Sequence, residues 1–241
     1  MDKLTCLECH KKFEPQFEGD RVCYNLDCQN QYEKKRDAHM NFIAEGLHKG
    51  DYEHMTLESF EWNRLRGIVW DFNKQEETVE EFRKFISEYI SEVPTTGLTL
   101  IGNFGAGKTH LSIAIVKVFI IKHYVYTNVR SFPLLLQELR ESYDGQGISN
   151  VMNMYTTVPL LLIDEIGKEK ISDWVSEMMF LLIDGRIKNR VPTIITSNES
   201  LEGLEEAYGG AVKSRLLQGS AVIQIRADDY RETIQTEIQG V

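Results

Sequence analysis

No run of eighteen apolar residues occurs anywhere in the 241-residue chain, so no segment reads as a membrane-spanning helix. The opening residues, Met1-Asp2-Lys3-Leu4-Thr5-Cys6, lack the charged-then-apolar pattern of a secretory leader. A cytoplasmic protein without a membrane partner is expected. Basic residues are in deficit: 27 Lys and Arg against 37 Asp and Glu leave a net charge of −10. That balance argues against coating nucleic acid through bulk electrostatics. It leaves room for a local basic groove and suits a protein whose main partner is another protein. There is no internal repeat or low-complexity tract, and no cysteine beyond residue 28. Hydrophobic content of 42% and charged content of 27% are those of an ordinary globular chain, enough for one large domain with a small appendage.

What is present is concentrated in a few places. Gly102-Asn103-Phe104-Gly105-Ala106-Gly107-Lys108-Thr109 is a complete G-x-x-x-x-G-K-T loop. The apolar run 98–101 before it reads as a buried strand, and the apolar-rich stretch after it as a helix. Such a loop points successive backbone N–H groups at phosphate oxygens, and the helix aims its positive end at the same anion. Lys108 is expected on the β- and γ-phosphates, and the Thr109 hydroxyl on Mg²⁺. The four fixed positions match by accident in roughly one chain of this length in a hundred, before the flanking elements are counted. ATP and Mg²⁺ are therefore the expected ligands.

Val158 to Ile163 is a continuous apolar run ending in Asp164-Glu165. It reads as a strand buried on both faces whose carboxyl end meets the ligand. Asp164 is expected to hold Mg²⁺, and Glu165 to polarise the attacking water. A second buried strand, 192–197, ends at Asn198, which is suited either to the γ-phosphate or to capping the next helix. Thr196 and Ser197 are not separable in role from sequence. Arg215, in Lys213-Ser214-Arg215-Leu216-Leu217, is either a solvated cation or one that reaches a phosphate in a neighbouring subunit.

The four cysteines, Cys6, Cys9, Cys23 and Cys28, are spaced C-x2-C, thirteen residues, C-x4-C. Two thiolate pairs on two turns can close a tetrahedron around Zn²⁺. The segment is too short to fold on a core of its own. The alternative is unligated thiols, and His10 is a further possible ligand. Lys34-Lys35-Arg36 lies on a polar helical stretch within 29–50, either as a solvated face or as a nucleic-acid contact.

Further along, Phe82, Phe85, Ile86, Tyr89 and Ile90 at helical spacing predict an amphipathic helix over 75–92. Strands are expected at 98–101, 124–127, 159–163, 192–197 and near 221–225. Helices are expected at 108–122, 131–143, 172–189 and 201–207. Such alternation builds a parallel sheet flanked by helices.

Taken together, residues 55–231 resemble the AAA+ ATPases of the DnaC/DnaI helicase-loader group, whose core is shared with the transposition ATPase IstB. The resemblance rests on Thr56-Leu57-Glu58-Ser59-Phe60, the loop at 102–109, Leu162-Ile163-Asp164-Glu165-Ile166-Gly167, Thr193 to Asn198, Ser214-Arg215-Leu216-Leu217 and Asp229-Tyr230-Arg231. It implies an α/β AAA+ P-loop core at 55–241, a zinc-binding, helicase-gripping module at 1–36 and a linker at 37–54. It implies an arginine finger at Arg215, acting across subunits of an ATP-bound homo-oligomer. It also implies an extra helical element at 131–157 lining a single-stranded DNA path, with Arg130, Arg140, Lys168 and Lys170 on or near it. Only 26 residues follow Arg215, too few for a helical lid, so that either Arg231 replaces the lid's sensing arginine or nothing does. The function implied is ATP-dependent deposition of a hexameric replicative helicase on single-stranded DNA. The alternative is an IstB-like transposition ATPase acting on duplex DNA.

Overall fold

Six strands form one twisted sheet in the computed structural model, which describes residues 4–6, 8–13, 22–44, 50–69, 76–142, 147–167 and 170–230. In chain order the elements are β1 (Leu4–Thr5), β2 (Lys12–Phe13), α1 (Leu26–Ala44), β3 (Leu65–Val69), α2 (Val79–Tyr89), β4 (Gly97–Gly102), α3 (Lys108–His123), β5 (Thr127–Ser131), α4 (Phe132–Glu141), α5 (Gly147–Thr157), β6 (Leu160–Ile166), α6 (Asp173–Asn189), β7 (Thr193–Ser197), α7 (Leu201–Tyr208), α8 (Gly210–Gly219) and β8 (Ser220–Ala227). The sheet order is β3-β8-β4-β7-β6-β5. All pairings are parallel except β3 with β8. This is the mixed α/β architecture of an AAA+ core. Among the described residues, no helix is long and apolar enough to cross a membrane.

The two-residue period of the strands divides the core. Leu160, Leu162, Leu98 and Leu100 face α2 and α3, whereas Leu161, Ile163, Ile101 and Ile195 face α4 to α8. Burial on both faces explains why β4 and β6 read as unbroken apolar runs. It also brings the carboxyl ends of β4, β6 and β7 side by side, with Gly102, Asp164 and Asn198 at one edge.

Several boundaries depart from the sequence reading. The strand expected at 124–127 is instead β5 at Thr127–Ser131. Helix α3 runs on to His123, and Tyr124 closes it at φ 54°. The Tyr124 N–H donates to Phe119 O, a six-to-one closing bond, and the Val125 N–H reaches the same oxygen at 3.1 Å. The helix expected over 75–92 contracts to Val79–Tyr89, because Thr78 and Glu81 form a reciprocal capping box that fixes its start. Strand β3 and helix α8 were not anticipated. The former is a short antiparallel edge whose partner β8 lies far along the chain. The latter is preceded by Gly209 at φ 90°.

At the amino end, β1 and β2 form a hairpin. Asn25 accepts from the N–H groups of Asp27 and Cys28 at 2.9 and 3.3 Å and so starts α1. Helix α1 is continuous across residues 36 and 37 and packs on α3 and β5. Its basic run is largely engaged within the chain. Lys35 pairs with Glu8 at 2.5 Å and stands 4.8 Å over the Tyr124 ring, while Arg36 pairs with its neighbour Asp37.

Candidate functional site

A cavity of about 330 Å³ opens at the carboxyl edge of the sheet, beside the phosphate loop. The loop curls because two of its glycines take backbone that other residues resist. Gly105 is at φ 70° and Gly107 at φ 85°, and a Cβ on Gly107 would lie 2.8 Å from the Phe60 ring. Asn103 fixes the loop from outside, donating to Ala227 O at 2.6 Å and accepting from the Ala227 N–H at 3.3 Å.

Lys108 is buried at the start of α3. Its Nζ donates to Gly102 O at 2.9 Å, Asn103 O at 2.7 Å and Asn198 Oδ1 at 2.8 Å. The loop and the tip of β7 thus meet on one ammonium. Thr109 Oγ1 donates to the Asp164 carboxylate at 3.0 and 3.2 Å, joining the loop to β6. A hydroxyl and a carboxylate in contact beside a phosphate loop form the oxygen donor set that Mg²⁺ prefers, so these residues fit that ion.

Glu165 is half-buried and lines the cavity. It sits at φ 62° where the β6–β7 register shifts between Ile163 and Ile166. A non-glycine residue in that region is held by its surroundings. Here Thr196 does the holding: its hydroxyl donates to Asp164 Oδ1 at 2.5 Å and accepts from the Glu165 N–H at 2.8 Å. Ser197 instead donates to Ile166 O at 2.9 Å and accepts from the Glu199 N–H at 3.0 Å. Sequence left these two neighbours unresolved; the structure separates them.

Sequence reasoning missed the cavity's other wall. His54, Met55, Phe60, Arg64, His110 and Tyr230 line it. His110 Nε2 lies 3.0 Å from Thr56 O, a contact that requires the proton on Nε2, and 3.2 Å from Ser59 Oγ. Burial pulls the His110 imidazole below its ordinary value, against the opposing pull of Thr56 O. Arg64 lies 4.7 Å over the Tyr230 ring, and the Tyr230 N–H reaches Gly105 O at 3.4 Å. The Asp229-Tyr230 segment therefore does return to the loop. Arg231 lies outside the described residues, as does Lys168.

Arg215 does not line this cavity. Its Nε bonds Asp184 of α6 at 2.9 Å and its Nη1 bonds the Gln218 side chain. Arg130 pairs with Glu138 at 3.1 Å, and Arg140 stacks 5.0 Å over Trp174. Both therefore have partners within the chain.

At the amino end the four cysteine sulfurs lie within 4.8 Å of one another, with Cys9 and Cys23 3.7 Å apart. Sulfurs placed tetrahedrally about 2.3 Å from zinc are about 3.8 Å apart, so the cluster fits the ion. His10 is exposed at a left-handed turn and is not part of the cluster. Although burial opposes it, the backbone N–H groups of Cys9 and Cys23 bring the Cys6 thiol down to about 6. Burial, with the neighbouring thiols, pushes Cys28 up to about 12.

A phosphate loop, an acidic strand end and a polar strand tip at Asn198 on this sheet define a P-loop nucleotide-binding protein of the AAA+ class. The family model described as IstB-like ATP binding protein matches residues 34–237, and the chain belongs to that family. It is similar to the replicative helicase loader DnaI of Bacillus subtilis, 29% identical over 160 residues, covering 61% of this chain and 51% of DnaI. It is also similar to the replicative helicase loader DnaC of Escherichia coli K12, 26% identical over 183 residues, covering 73% of this chain and 70% of DnaC. The chain thus spans about half the length of DnaI. A crystal structure of the DnaC helicase loader superposes with a TM-score of 0.56 at 26% identity, covering 64% of this chain and 95% of that one.

Proposed function

We propose that this chain is an ATP-hydrolysing helicase loader. ATP-bound copies assemble side by side, grip a hexameric replicative helicase through the cysteine-bearing amino end, and help to place it on single-stranded DNA in the cytoplasm. Mg²⁺, held by Thr109 and Asp164, would supply charge neutralisation at the β- and γ-phosphates. Glu165 acts as general base on the attacking water, Lys108 binds the phosphates, and Asn198 reports the γ-phosphate to β7. The zinc held by Cys6, Cys9, Cys23 and Cys28 would staple residues 1–36 as the grip, with 37–54 leading into the core at 55–241. Arg130 and Arg140 carry little of the DNA contact, since both are engaged internally, which leaves exposed Lys170 as the better candidate.

The observation that carries this reading is the separation of Arg215 from its own nucleotide cavity. The site within one protomer has an ammonium, a base and a metal-binding pair, but Arg215 is tethered elsewhere, where a neighbour's nucleotide is its natural target. Glu165→Gln should retain ATP and stop turnover; unchanged hydrolysis would mean the base lies elsewhere. Co-purification with a hexameric replicative helicase, lost in Cys23→Ser, tests the grip.

A second reading, an IstB-like transposition ATPase, is favoured by the family match itself. It requires ATP-dependent polymerisation on duplex DNA with no helicase affinity. The charge of −10 counts against it, because wrapping duplex demands many phosphate contacts.

A further inference from the structure

A second cavity, of about 390 Å³, lies at the opposite end of the sheet, where β4, β7 and β8 begin and α6 and α8 end. Arg186, Arg190 and Arg215 all line it, and among the described residues no carboxylate does. In a chain of net charge −10, three guanidinium groups around one opening invert the local sign.

The three differ in how much of their bonding is already committed. Arg186 is buried and gives its N–H groups to Thr193 Oγ1 and to the carbonyls of Tyr155, Val158 and Pro192. Arg215 is anchored on one side by Asp184 and Gln218. Asp184 also accepts from Lys188 at 2.6 Å, so its single negative charge is shared between two cations and the rim stays positive. Arg190 is exposed and has no ion pair or side-chain hydrogen bond among the described residues.

Arg190 also occupies strained backbone. It closes α6 at φ 55°, ψ 38°, where glycine or asparagine is the unstrained choice. Arg190 thus combines a left-handed backbone, no ion pair among the described residues and a place on the same opening as Arg215.

We propose that Arg190 is a second cross-subunit cation. With Arg215 it engages the triphosphate of ATP bound by an adjacent copy of this chain, and Asp184 is the positioning residue that aims Arg215. This deepens the loader reading and rests on its cross-subunit arginine. When water attacks the γ-phosphorus and the bond to the β–γ bridging oxygen breaks, charge spreads over the phosphoryl oxygens and ADP leaves. Two guanidinium groups offset that charge without exchanging a proton.

The test uses the full chain at concentrations where hydrolysis per protomer rises with protein. Asparagine tolerates the left-handed backbone, so Arg190→Asn should melt at the wild-type temperature or above. It should keep its ATP affinity within about twofold and lose kcat by roughly tenfold or more. Mixing it with Glu165→Gln protomers, which carry both arginines but an idle base, should restore turnover. Arg190→Lys should recover part of the rate, and Asp184→Asn should lower kcat without altering ATP affinity. If Arg190→Asn turns over like wild type while Arg215→Ala does not, or if mixing fails to rescue Arg190→Asn while it rescues Arg215→Ala, the inference falls and the loader reading stands. If Arg215→Ala is also unaffected, or the rate per protomer is independent of concentration, the cross-subunit reading falls and takes this one with it.

Discussion

Thr196→Val tests the link between β7 and the acidic pair. Valine reproduces the branched shape but removes the hydroxyl that donates to Asp164 at 2.5 Å and accepts from the Glu165 N–H at 2.8 Å. A hydrogen bond to a charged group is worth about 1.5–3 kcal/mol, and the Glu165 N–H also loses its acceptor. That loss falls where Glu165 is already held at φ 62°. If about 2 kcal/mol of it is spent on positioning, kcat falls roughly thirtyfold. Global stability should fall by about 1–2 kcal/mol, or roughly 2–8 °C in melting temperature for a chain of this size. On the proposed reading the phosphates are held by the loop and Lys108, so ATP affinity should change little. Steady-state hydrolysis, nucleotide titration and a thermal melt on one preparation separate these effects. Thr196→Ser, which keeps the hydroxyl, should stay near wild type. A Thr196→Val enzyme whose kcat stays within about twofold of wild type, or whose serine counterpart is equally impaired, would refute the assignment.

Three further outcomes are expected. Arg186→Met should cost about 3–5 kcal/mol, because three carbonyls and a hydroxyl lose their donors in the core. A melting temperature lowered by roughly 6–20 °C is the readout, and a fall under about 3 °C would contradict it. Burial pulls the Arg186 guanidinium down to about 9, so it remains a cation at neutral pH and this contribution persists there. His110 is held below its ordinary 6.5, so the unfolded chain binds its proton first. Stability is complete above that value and declines as the pH falls through it toward the lower folded-state value; melts from about pH 7.5 down to about pH 5.5 should show the decline, and His110→Gln should flatten it. Denatured protein should release about one equivalent of zinc per chain. Stripping the metal with a chelator should melt the amino end while leaving ATP binding by the core intact. Metal content near zero, or an amino end whose fold ignores the chelator, would remove the zinc assignment.

Much of the site was legible because it is written in local signals. A phosphate loop needs its glycines, lysine and hydroxyl at fixed spacing, and doubly buried strands betray themselves as apolar runs ending in polar tips. Lys108, Thr109, Asp164 and Asn198 stand out by these rules, and they meet as two hydrogen-bonded pairs, Lys108 with Asn198 and Thr109 with Asp164. In the wall formed by His54, Phe60, Arg64, His110 and Tyr230, Phe60 and Tyr230 fall in segments that stand out in the sequence, whereas His54, Arg64 and His110 left no such trace, because they come from separate segments and share no period. The same holds for β3, whose pairing partner lies at the far end of the chain. Strand β5 was misplaced by a few residues because helix α3 outlasts its expected end by a single left-handed closure at Tyr124.

The order of amino acids alone determined the chemistry on offer: a triphosphate cradle, an acidic strand end and four thiols in two pairs, each fixed by spacing along a few consecutive residues. Only the tertiary structure decided who touches whom across the chain. It gave Thr196 the task of bridging the two acids, put Arg215 on Asp184 at a distance from its own nucleotide cavity, and set Arg190 beside it. Those relations depend on how strands far apart in sequence are laid side by side, and the burial that orders the sheet is a property of the packed whole.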